Sequence, residues 1–261
     1  MKPAPFVYHR PRTVEEAVAL LGLPACKVLA GGQSLVPLMN FRLSRPRHLV
    51  DINWLPGLDG VEWDPDQGRL RLGALVRHQV LATHPLVRRH LPVLAEAAGH
   101  IGHWAIRSRG TLGGSLAHAD PAAELPAAMV ALGARFCLRS QSGERWVDAG
   151  EFFQGLFTTV LAEDELLTAV EVSVDQSARW GFYEIARRVG DFALAGAYAR
   201  RRGGVIDLTW FGVGPKPFTV ELQAGEAEAA LEQVLQTAAE DVAARQWAKV
   251  AAMRALQRAG R

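Results

Sequence analysis

Apolar residues recur at helical spacing near the start of the chain. Thr13 and Glu16 have the spacing of a capping box, in which a hydroxyl and a carboxylate satisfy free N–H groups at a helix start. Gly22 and Pro24 follow the apolar positions and are typical of a helix end. We therefore predict a first helix that begins after Thr13 and presents one apolar face, formed by Ala17, Val18, Leu20 and Leu21.

Shorter apolar segments, bounded by glycine and proline, predict strands in the first two thirds of the chain. Leu70 and Leu72 alternate with Arg69 and Arg71, which is the period of a half-buried strand. Further strands are predicted at 27–30, 49–52, 135–140, 145–147 and 166–172. Helices are predicted at 35–41, with Ser34 as its N-cap, and at about 79–82, 91–98 and 125–132.

The pattern changes after residue 174. Three strands separated by glycine-bearing turns are followed by two alanine-rich helices, at 182–187, 193–198, 205–211, 227–235 and 242–256. This order predicts an antiparallel sheet backed by helices, and the whole chain is predicted to be α+β. A turn-rich segment near residue 56 and a polar segment near residue 174 suggest three parts, at 1–55, 56–173 and 174–261.

Composition narrows the possible functions. The chain has 261 residues, 49% of them hydrophobic, enough for a large core. Its net charge of +2 gives no electrostatic case for binding nucleic acid. Cys26 and Cys137 lie far apart, which does not match the clustered cysteines of zinc or iron–sulfur sites. No apolar run reaches the ~18 residues of a membrane span, and the start carries no signal-peptide pattern, so we expect a cytoplasmic protein.

Two glycine pairs carry the candidate chemistry. Gly31-Gly32 is followed by Gln33 and Ser34, and Gly113-Gly114 lies between Thr111 and Ser115. A single Gly-Gly is most simply a surface turn, but two such motifs about eighty residues apart could face each other. Glycine backbones, hydroxyls and free N–H groups suit an anion such as a pyrophosphate. Neither pair belongs to a P-loop or to a Rossmann fingerprint.

Both glycine motifs lie in longer segments that resemble one known family. The segment from Val28 to Arg42 resembles the first flavin-binding signature of the FAD-binding medium subunits of molybdenum hydroxylases, such as carbon monoxide dehydrogenase and the FAD domain of xanthine dehydrogenase. The segment from Ile101 to Pro126 resembles the second signature, although Ser108 stands where asparagine is common. A weaker similarity at 180–193 extends the resemblance over nearly the whole chain.

The resemblance implies a fold and a set of partners. The expected fold is the vanillyl-alcohol-oxidase-like FAD-binding fold, with two α+β subdomains and a smaller C-terminal α+β domain. The expected cofactor is non-covalent FAD, while molybdopterin and two [2Fe–2S] clusters belong to a large and a small partner subunit. The expected assembly is a dimer of heterotrimers. The FAD would pass electrons from the iron–sulfur subunit to an external acceptor.

The resemblance also implies which residues contact FAD. The pyrophosphate is expected between the two glycine motifs, and an aromatic side chain is expected beside the isoalloxazine ring. The implied cofactor-binding residues are Leu29, Ala30, Gly31, Gly32, Gln33, Ser34, Leu35, Ile106, Thr111, Gly113, Gly114, Ser115, Ala119, Asp120 and Phe192. No catalytic acid–base pair and no metal ligand is expected on this chain, because flavin carries the redox chemistry.

Several roles have a simpler structural alternative. Asp120 could accept a hydrogen bond from a ribityl or ribose hydroxyl, or cap the helix entered at Pro121. Arg107 and Arg109 could face phosphate, or pair with Asp120 or Glu124. His118 and Phe192 could lie near the flavin or simply pack. Two other classes also remain: a stand-alone flavoprotein oxidase of the same fold, and a scaffold subunit without flavin.

Overall fold

The computed structural model of the chain describes residues 2–225, 227–238 and 242–260, so the predicted limits Met1 and Arg261 lie outside the described residues. The first sheet is parallel and has the order β1-β3-β2. Thr13 caps the first helix, and its Oγ1 accepts a hydrogen bond from Glu16 N (3.2 Å), which confirms the predicted start. The elements are β1 (Val7–His9), α1 (Val14–Leu21), β2 (Cys26–Leu29), α2 (Leu35–Asn40) and β3 (His48–Asp51).

The second sheet is antiparallel and has the order β4-β5-β10-β6-β7. The strands predicted around Leu70 and Leu72 and at 135–140, 145–147 and 166–172 fall in it. The strands at 7–9, 61–64, 153–155, 158–159 and 218–223 were not predicted, and those at 7–9 and 61–64 are short and partly exposed. The elements are β4 (Val61–Asp64), β5 (Arg69–Gly73), α3 (His78–Thr83), α4 (Pro85–His90), α5 (Pro92–His100), α6 (Trp104–Arg107), α7 (Leu112–His118), α8 (Glu124–Ala131), β6 (Arg135–Ser140), β7 (Gly143–Asp148), α9 (Ala149–Phe152), β8 (Phe153–Gly155), β9 (Thr158–Thr159) and β10 (Leu166–Ser173).

The third sheet is an antiparallel meander with a helix across one face. Its strands are β11 (Arg179–Ala186), β12 (Ala193–Arg202), β13 (Val205–Phe211) and β14 (Phe218–Gln223), followed by α10 (Ala227–Ala238) and α11 (Val242–Ala259). Helix α11 packs on β11 and β12 so closely that a Cβ on Gly181 would lie 2.0 Å from the Ala255 carbonyl oxygen. This arrangement agrees with the α+β class expected for the chain.

One core joins the second and third sheets. Phe182, Tyr198 and Phe211 of the third sheet belong to the same buried cluster as the residues of β5, α5, α8 and β10. The Tyr198 hydroxyl is fully buried and donates to the Glu124 carbonyl oxygen of α8 (3.0 Å). A separate cluster lies between the third sheet and its two helices, and a third one between α1 and the first sheet. Among the described residues, no helix is both long and apolar enough to cross a membrane.

Candidate functional site

The first glycine motif is the turn that joins β2 to α2. Gly32 has φ +71°, a backbone conformation that favours glycine, and Gln33 Nε2 donates to the Gly31 carbonyl oxygen (3.0 Å). Ser34 occupies the N-cap position of α2, as predicted, but its side chain makes no capping hydrogen bond. The predicted capping role of the Ser34 hydroxyl is therefore wrong.

This turn presents a run of unused backbone donors. Among the described residues, no hydrogen-bond acceptor serves the N–H groups of Gly31, Gly32, Gln33, Ser34 or Leu35. The first N–H after them, on Val36, donates to the Gly32 carbonyl oxygen (3.0 Å). Successive free N–H groups in a glycine-containing turn at a helix start form a concave site for an anion.

The second glycine motif lies in helix α7 and is not a surface turn. Thr111 is the N-cap of α7, and its Oγ1 accepts from Gly114 N (3.2 Å). Gly113 N donates to the Ala74 carbonyl oxygen (2.8 Å), and Ser115 N donates to the Thr111 carbonyl oxygen (3.0 Å). The N–H groups of this motif are therefore used inside the fold, unlike those of the first motif.

Gly113 and Gly114 instead allow close packing. A Cβ on Gly113 would lie 2.6 Å from Ala74 Cβ and 2.9 Å from Leu167 Cδ2. A Cβ on Gly114 would lie 2.7 Å from Thr111 Oγ1, the atom that caps the helix. Each distance is too short for a real side-chain carbon, so Gly113 lets α7 approach the second sheet and Gly114 leaves room for the Thr111 cap.

The structure brings the two motifs together. A Cβ on Gly31 would lie 2.4 Å from the Arg109 carbonyl oxygen and 2.8 Å from Gly110 Cα. A Cβ on Gly114 would lie 3.7 Å from Ala30 Cβ, which is ordinary contact. The first turn and the segment that leads into α7 are therefore neighbours, as the pairing of the motifs had suggested.

A cleft of about 370 Å³ opens at this junction. The predicted residues Leu29, Ala30, Gly31, Gly32 and Gln33 line it. Its wall is completed by Val36, Pro37, Asp51, Asn53 and Arg109. The cleft thus adjoins the unused N–H groups of the first motif.

A relay of hydrogen bonds through Arg77 and Asn53, which was not predicted from the sequence, connects the two segments that meet at the cleft. Arg77 Nη2 donates to Asn53 Oδ1 (2.8 Å), and Asn53 Nδ2 donates to the Ala30 carbonyl oxygen (2.7 Å). The other end of the guanidinium, Nη1, donates to the Arg109 carbonyl oxygen. Arg77 therefore joins the first glycine motif to the segment that precedes the second one.

Asp51 and Tyr8 hold the relay in place. Asp51 Oδ1 accepts from Asn53 Nδ2 (2.7 Å) and from Asn53 N (3.0 Å). Asp51 Oδ2 accepts from the Tyr8 hydroxyl (2.6 Å), and this hydrogen bond raises the pKa of Tyr8. The sequence signal that could have revealed this relay is a pair of polar residues, Asp51 and Asn53, at the end of a strand.

Two arginines place positive charge at this junction. Among the described residues, neither Arg77 nor Arg109 forms an ion pair within 4.0 Å. Burial lowers the pKa of the Arg77 guanidinium, and the nearby charge of Arg109 lowers it further. Because the hydrogen bonds of Arg77 go to neutral oxygens, this positive charge favours an anionic ligand.

Arg107 takes neither of the two roles considered for it. Its Nη1 donates to the carbonyl oxygens of Ile101 (3.0 Å) and Gly102 (3.1 Å), and its Nε donates to Gln79 Oε1 (3.1 Å). It therefore shapes the segment before α6 and pairs with neither Asp120 nor Glu124. Arg109 likewise forms no such pair, and it lines the cleft.

Asp120 follows α7 in a tight turn. Its Oδ1 accepts from Ala122 N (2.9 Å), while Ala123 is the N-cap of α8, so Asp120 closes a turn before the helix. Ala119 adopts a left-handed conformation (φ 52°), and its carbonyl oxygen accepts from Phe157 N (3.2 Å). His118 is half-buried and its ring contacts Phe157, with ring centres 5.1 Å apart.

Ile106 and Phe192 lie on segments that touch each other. A Cβ on Gly190 would lie 2.7 Å from the Gly102 carbonyl oxygen, so the turn before β12 meets the segment before α6. Phe192 is 63% exposed and Ile106 is 36% exposed, which excludes core packing as the role of Phe192. Neither residue lines the cleft described above.

A buried acidic pair lies between α8 and the third sheet. Burial, together with the nearby charge of Glu184, raises the pKa of Glu124 to about 8. Glu184 Oε1 contacts His100 Nδ1 (3.0 Å), and this hydrogen bond raises the pKa of His100. Glu124 is therefore protonated at neutral pH, which removes one charge from the buried interface.

His78 holds the segment before α7 in place through two hydrogen bonds to its backbone. Burial lowers its pKa to about 4, so the ring is neutral at physiological pH, and its Nε2 donates to the Thr111 carbonyl oxygen (3.0 Å). The backbone N–H of His78 donates to the Gly110 carbonyl oxygen (3.0 Å). Among the described residues, no group of three or more His, Cys, Asp and Glu side chains could hold a metal ion.

Comparison with known proteins identifies relatives of this chain. A family model described as the FAD binding domain in molybdopterin dehydrogenase matches residues 4–173. The 6-hydroxypseudooxynicotine dehydrogenase complex subunit alpha of Paenarthrobacter nicotinovorans is 47% identical over 202 residues, covering 76% of this chain and 67% of that protein. The carbon monoxide dehydrogenase medium chain of Hydrogenophaga pseudoflava is 40% identical over 208 residues, covering 78% of this chain and 72% of that protein.

Solved structures extend the similarity over the whole chain. A carbon monoxide dehydrogenase structure from Hydrogenophaga pseudoflava matches with a TM-score of 0.92 and 34% identity, covering 100% of this chain and 99% of that chain. Quinoline 2-oxidoreductase from Pseudomonas putida 86 matches with a TM-score of 0.91 and 33% identity over the same shares of the two chains.

Proposed function

This chain belongs to the family of FAD-binding domains in molybdopterin dehydrogenases, and we propose that it is the FAD-binding, electron-transferring subunit of a molybdenum-dependent hydroxylase complex. The observation that carries the proposal is the run of unused N–H groups from Gly31 to Leu35 beside a 370 Å³ cleft. The positive charges of Arg77 and Arg109, neither of which forms an ion pair among the described residues, add to it. An FAD pyrophosphate needs many donors, and this turn offers them already oriented.

Each predicted site residue has a proposed part in this binding. The first motif donates N–H groups to the pyrophosphate, and the Ser34 hydroxyl adds a donor. The N–H groups of α7 are used internally, so we propose that this helix contributes its surface, and not its backbone donors, as the wall facing the first motif. The side chains proposed for that wall and for the ribityl and ring ends of the cofactor are those of Ser115, Ala119, Asp120, Ile106 and Phe192, while Leu29, Ala30 and Leu35 flank the first turn. Thr111, Gly113 and Gly114 are proposed to contribute indirectly, by capping α7 and letting it pack closely.

The proposed complex divides its chemistry among subunits. Flavin exchanges electrons singly or in pairs, so it can connect one-electron clusters to a two-electron acceptor. The chain has only two cysteines, which is too few to ligate a [2Fe–2S] cluster with thiolates. We propose that a small subunit carries the [2Fe–2S] clusters, that a large subunit carries molybdopterin, and that the complex is a cytoplasmic dimer of heterotrimers.

The three sheets support a division of the chain into functional parts. We propose two FAD-binding subdomains at 1–55 and 56–173 and a C-terminal domain at 174–261, whose sheets contain β1–β3, β4–β7 with β10, and β11–β14. The cleft lies where the first two parts meet, since residues 29–33, 36 and 37 of the first part and Arg109 of the second line it. Cofactor binding should then hold these two parts together.

A matched pair of substitutions at Gly32 tests the proposal. Gly32 has φ +71°, a conformation that asparagine and aspartate both tolerate better than most residues. The variants Gly32→Asn and Gly32→Asp therefore differ mainly in one negative charge beside the unused N–H groups. We expect the purified wild-type chain to bind FAD, Gly32→Asn to bind it more weakly, and Gly32→Asp to bind it at least ~10-fold more weakly than Gly32→Asn, a difference of ~1.4 kcal/mol.

FAD binding is measured by flavin absorbance after gel filtration and by titration of flavin fluorescence. Equal FAD affinity in Gly32→Asp and Gly32→Asn, or a wild-type chain that binds no FAD, would contradict the proposed site. Turnover assays with and without the two partner subunits address the enzyme class. Substrate oxidation by the isolated chain would support a stand-alone oxidase instead.

A further inference from the structure

We propose that Arg77 is a positioning residue that sets the separation of the two glycine motifs and thereby the width of the FAD pyrophosphate site. This inference deepens the proposed function and rests on it. Arg77 itself does not line the cleft. It acts through two oxygen atoms, Asn53 Oδ1 on one side and the Arg109 carbonyl oxygen on the other.

The geometry makes Arg77 a bridge between distant parts of the chain. On one side, Asn53 connects it to the Ala30 carbonyl oxygen, immediately before Gly31. On the other side, the Arg109 carbonyl oxygen is the atom that a Cβ on Gly31 would approach to 2.4 Å. The two ends of one guanidinium therefore hold the two segments that meet at Gly31.

The bridge is rigid because each of its members is fixed by further hydrogen bonds. The Asn53 side-chain amide is oriented by Asp51, which accepts from both the amide nitrogen and the Asn53 backbone. The backbone of Arg77 forms an antiparallel bridge with Thr111, the N-cap of α7. Backbone and side chain of Arg77 thus both connect to the second motif, through Thr111 and Arg109.

Arginine is suited to this bridge and lysine is not. The planar guanidinium presents donors in a fixed fork, so two of its nitrogens can serve two acceptors in different directions. An ammonium at the same position keeps the charge, but its compact donor set cannot span both oxygens in the same geometry. A comparison of Arg77→Lys with Arg77→Gln therefore separates the bridge from the charge.

The experiment measures FAD affinity in the purified full chain. We expect Arg77→Lys and Arg77→Gln each to weaken FAD binding by more than tenfold relative to wild type, with the larger loss in Arg77→Gln, which removes the positive charge as well as the bridge. Arg88→Gln is the matched control, because Arg88 is exposed and its Nε also donates to a backbone carbonyl oxygen, that of Ala82 (3.0 Å). We expect this control to bind FAD as the wild type does.

Two further measurements distinguish positioning from a general loss of stability. Titrations are made well below the urea midpoint of each apo variant, and the absorption spectrum of the bound flavin is recorded. We expect folded Arg77 variants with weakened FAD binding and an altered flavin band. In a double-mutant cycle, Arg77→Gln combined with Asn53→Ala should lose less FAD affinity than the two single losses together, since both changes break one relay.

Three results would overturn the proposal. Wild-type affinity in Arg77→Lys would show that charge alone matters, and wild-type affinity in Arg77→Gln would show that neither charge nor bridge does. Additive losses in the double-mutant cycle would show that Asn53 and Arg77 act separately. A wild-type chain that binds no FAD would instead contradict the proposed function, so the two failures are distinguishable.

Discussion

Replacing Gly31 by alanine should separate the two glycine motifs. The added Cβ would lie 2.4 Å from the Arg109 carbonyl oxygen, whereas ordinary contact begins at 3.4 Å. The segment at Arg109 and Gly110 must therefore retreat by about 1 Å, and the three nearest atoms that block the methyl group all belong to the backbone.

That retreat is resisted by the contacts of the segment. The Arg109 carbonyl oxygen accepts from Arg77, and the Gly110 carbonyl oxygen accepts from His78 N (3.0 Å). A Cβ on Gly110 would lie 2.7 Å from His78 Cε1, so the far side of the segment is also closely packed. Overpacking at such a site costs about 1–3 kcal/mol of unfolding free energy.

The matched control is Gly99→Ala. Gly99 lies in α5, has open space where its Cβ would be, and has no positive φ. Alanine there should leave FAD binding unchanged and stabilise the helix by up to about 1 kcal/mol. Gly31→Ala, by contrast, should lower the free energy of unfolding by about 1–3 kcal/mol and weaken FAD binding by at least ~10-fold.

Urea unfolding of the apo chains and fluorescence titration with FAD measure the two effects. If Gly31→Ala matches Gly99→Ala in both measurements, the close approach of the two motifs does not exist in solution. If only stability falls, the approach exists but does not shape the cofactor site.

The remaining predictions concern α7 and α8. Thr111→Val should lower the free energy of unfolding by about 0.5–2 kcal/mol, because Gly114 N loses its capping acceptor. Thr111→Ser keeps a hydroxyl at this position and should retain most of the wild-type free energy of unfolding in the same urea assay. The folded-state pKa of Glu124 is about 8, above that of an unfolded glutamate, so the native state holds an extra proton between these values and its stability should fall as the pH rises from about 4.5 to 8. Glu124→Gln should remove that part of the pH dependence and be the more stable protein at pH 8; an unchanged slope of urea midpoint against pH would show that Glu124 is not buried as described.

Much of the fold could be predicted because its signals are local. The cap at Thr13, the alternation in β5 and the glycine-bearing turns between β11, β12 and β13 depend on residues a few positions apart. Strands β1, β4, β8, β9 and β14 were not predicted; β1 and β4, for example, are short and partly exposed, so neither has a distinctive apolar pattern. They form strands because a neighbouring strand supplies their hydrogen bonds, which no local pattern records.

The candidate site was predicted in part. The two glycine motifs were found from their residues and from a family resemblance, and their proximity is a feature of the structure. Their backbone conformations differ, and the sequence did not predict this difference: Gly31-Gly32 forms a turn with free N–H donors, whereas Gly113-Gly114 lies inside a helix. Glycine permits both outcomes, and the contacts of Ala74 and Thr111 decide between them.

The sequence by itself determined the α+β class, the positions of most elements and the two segments that face the cleft. Only the tertiary structure decided which donors stay free and which residues join the segments. Arg77 and Asn53 carry no motif of their own, and they meet because β3 ends beside the start of α3. Hydrogen bonds between residues far apart in the chain depend on how sheets pack, and local periodicity contains no information about that packing.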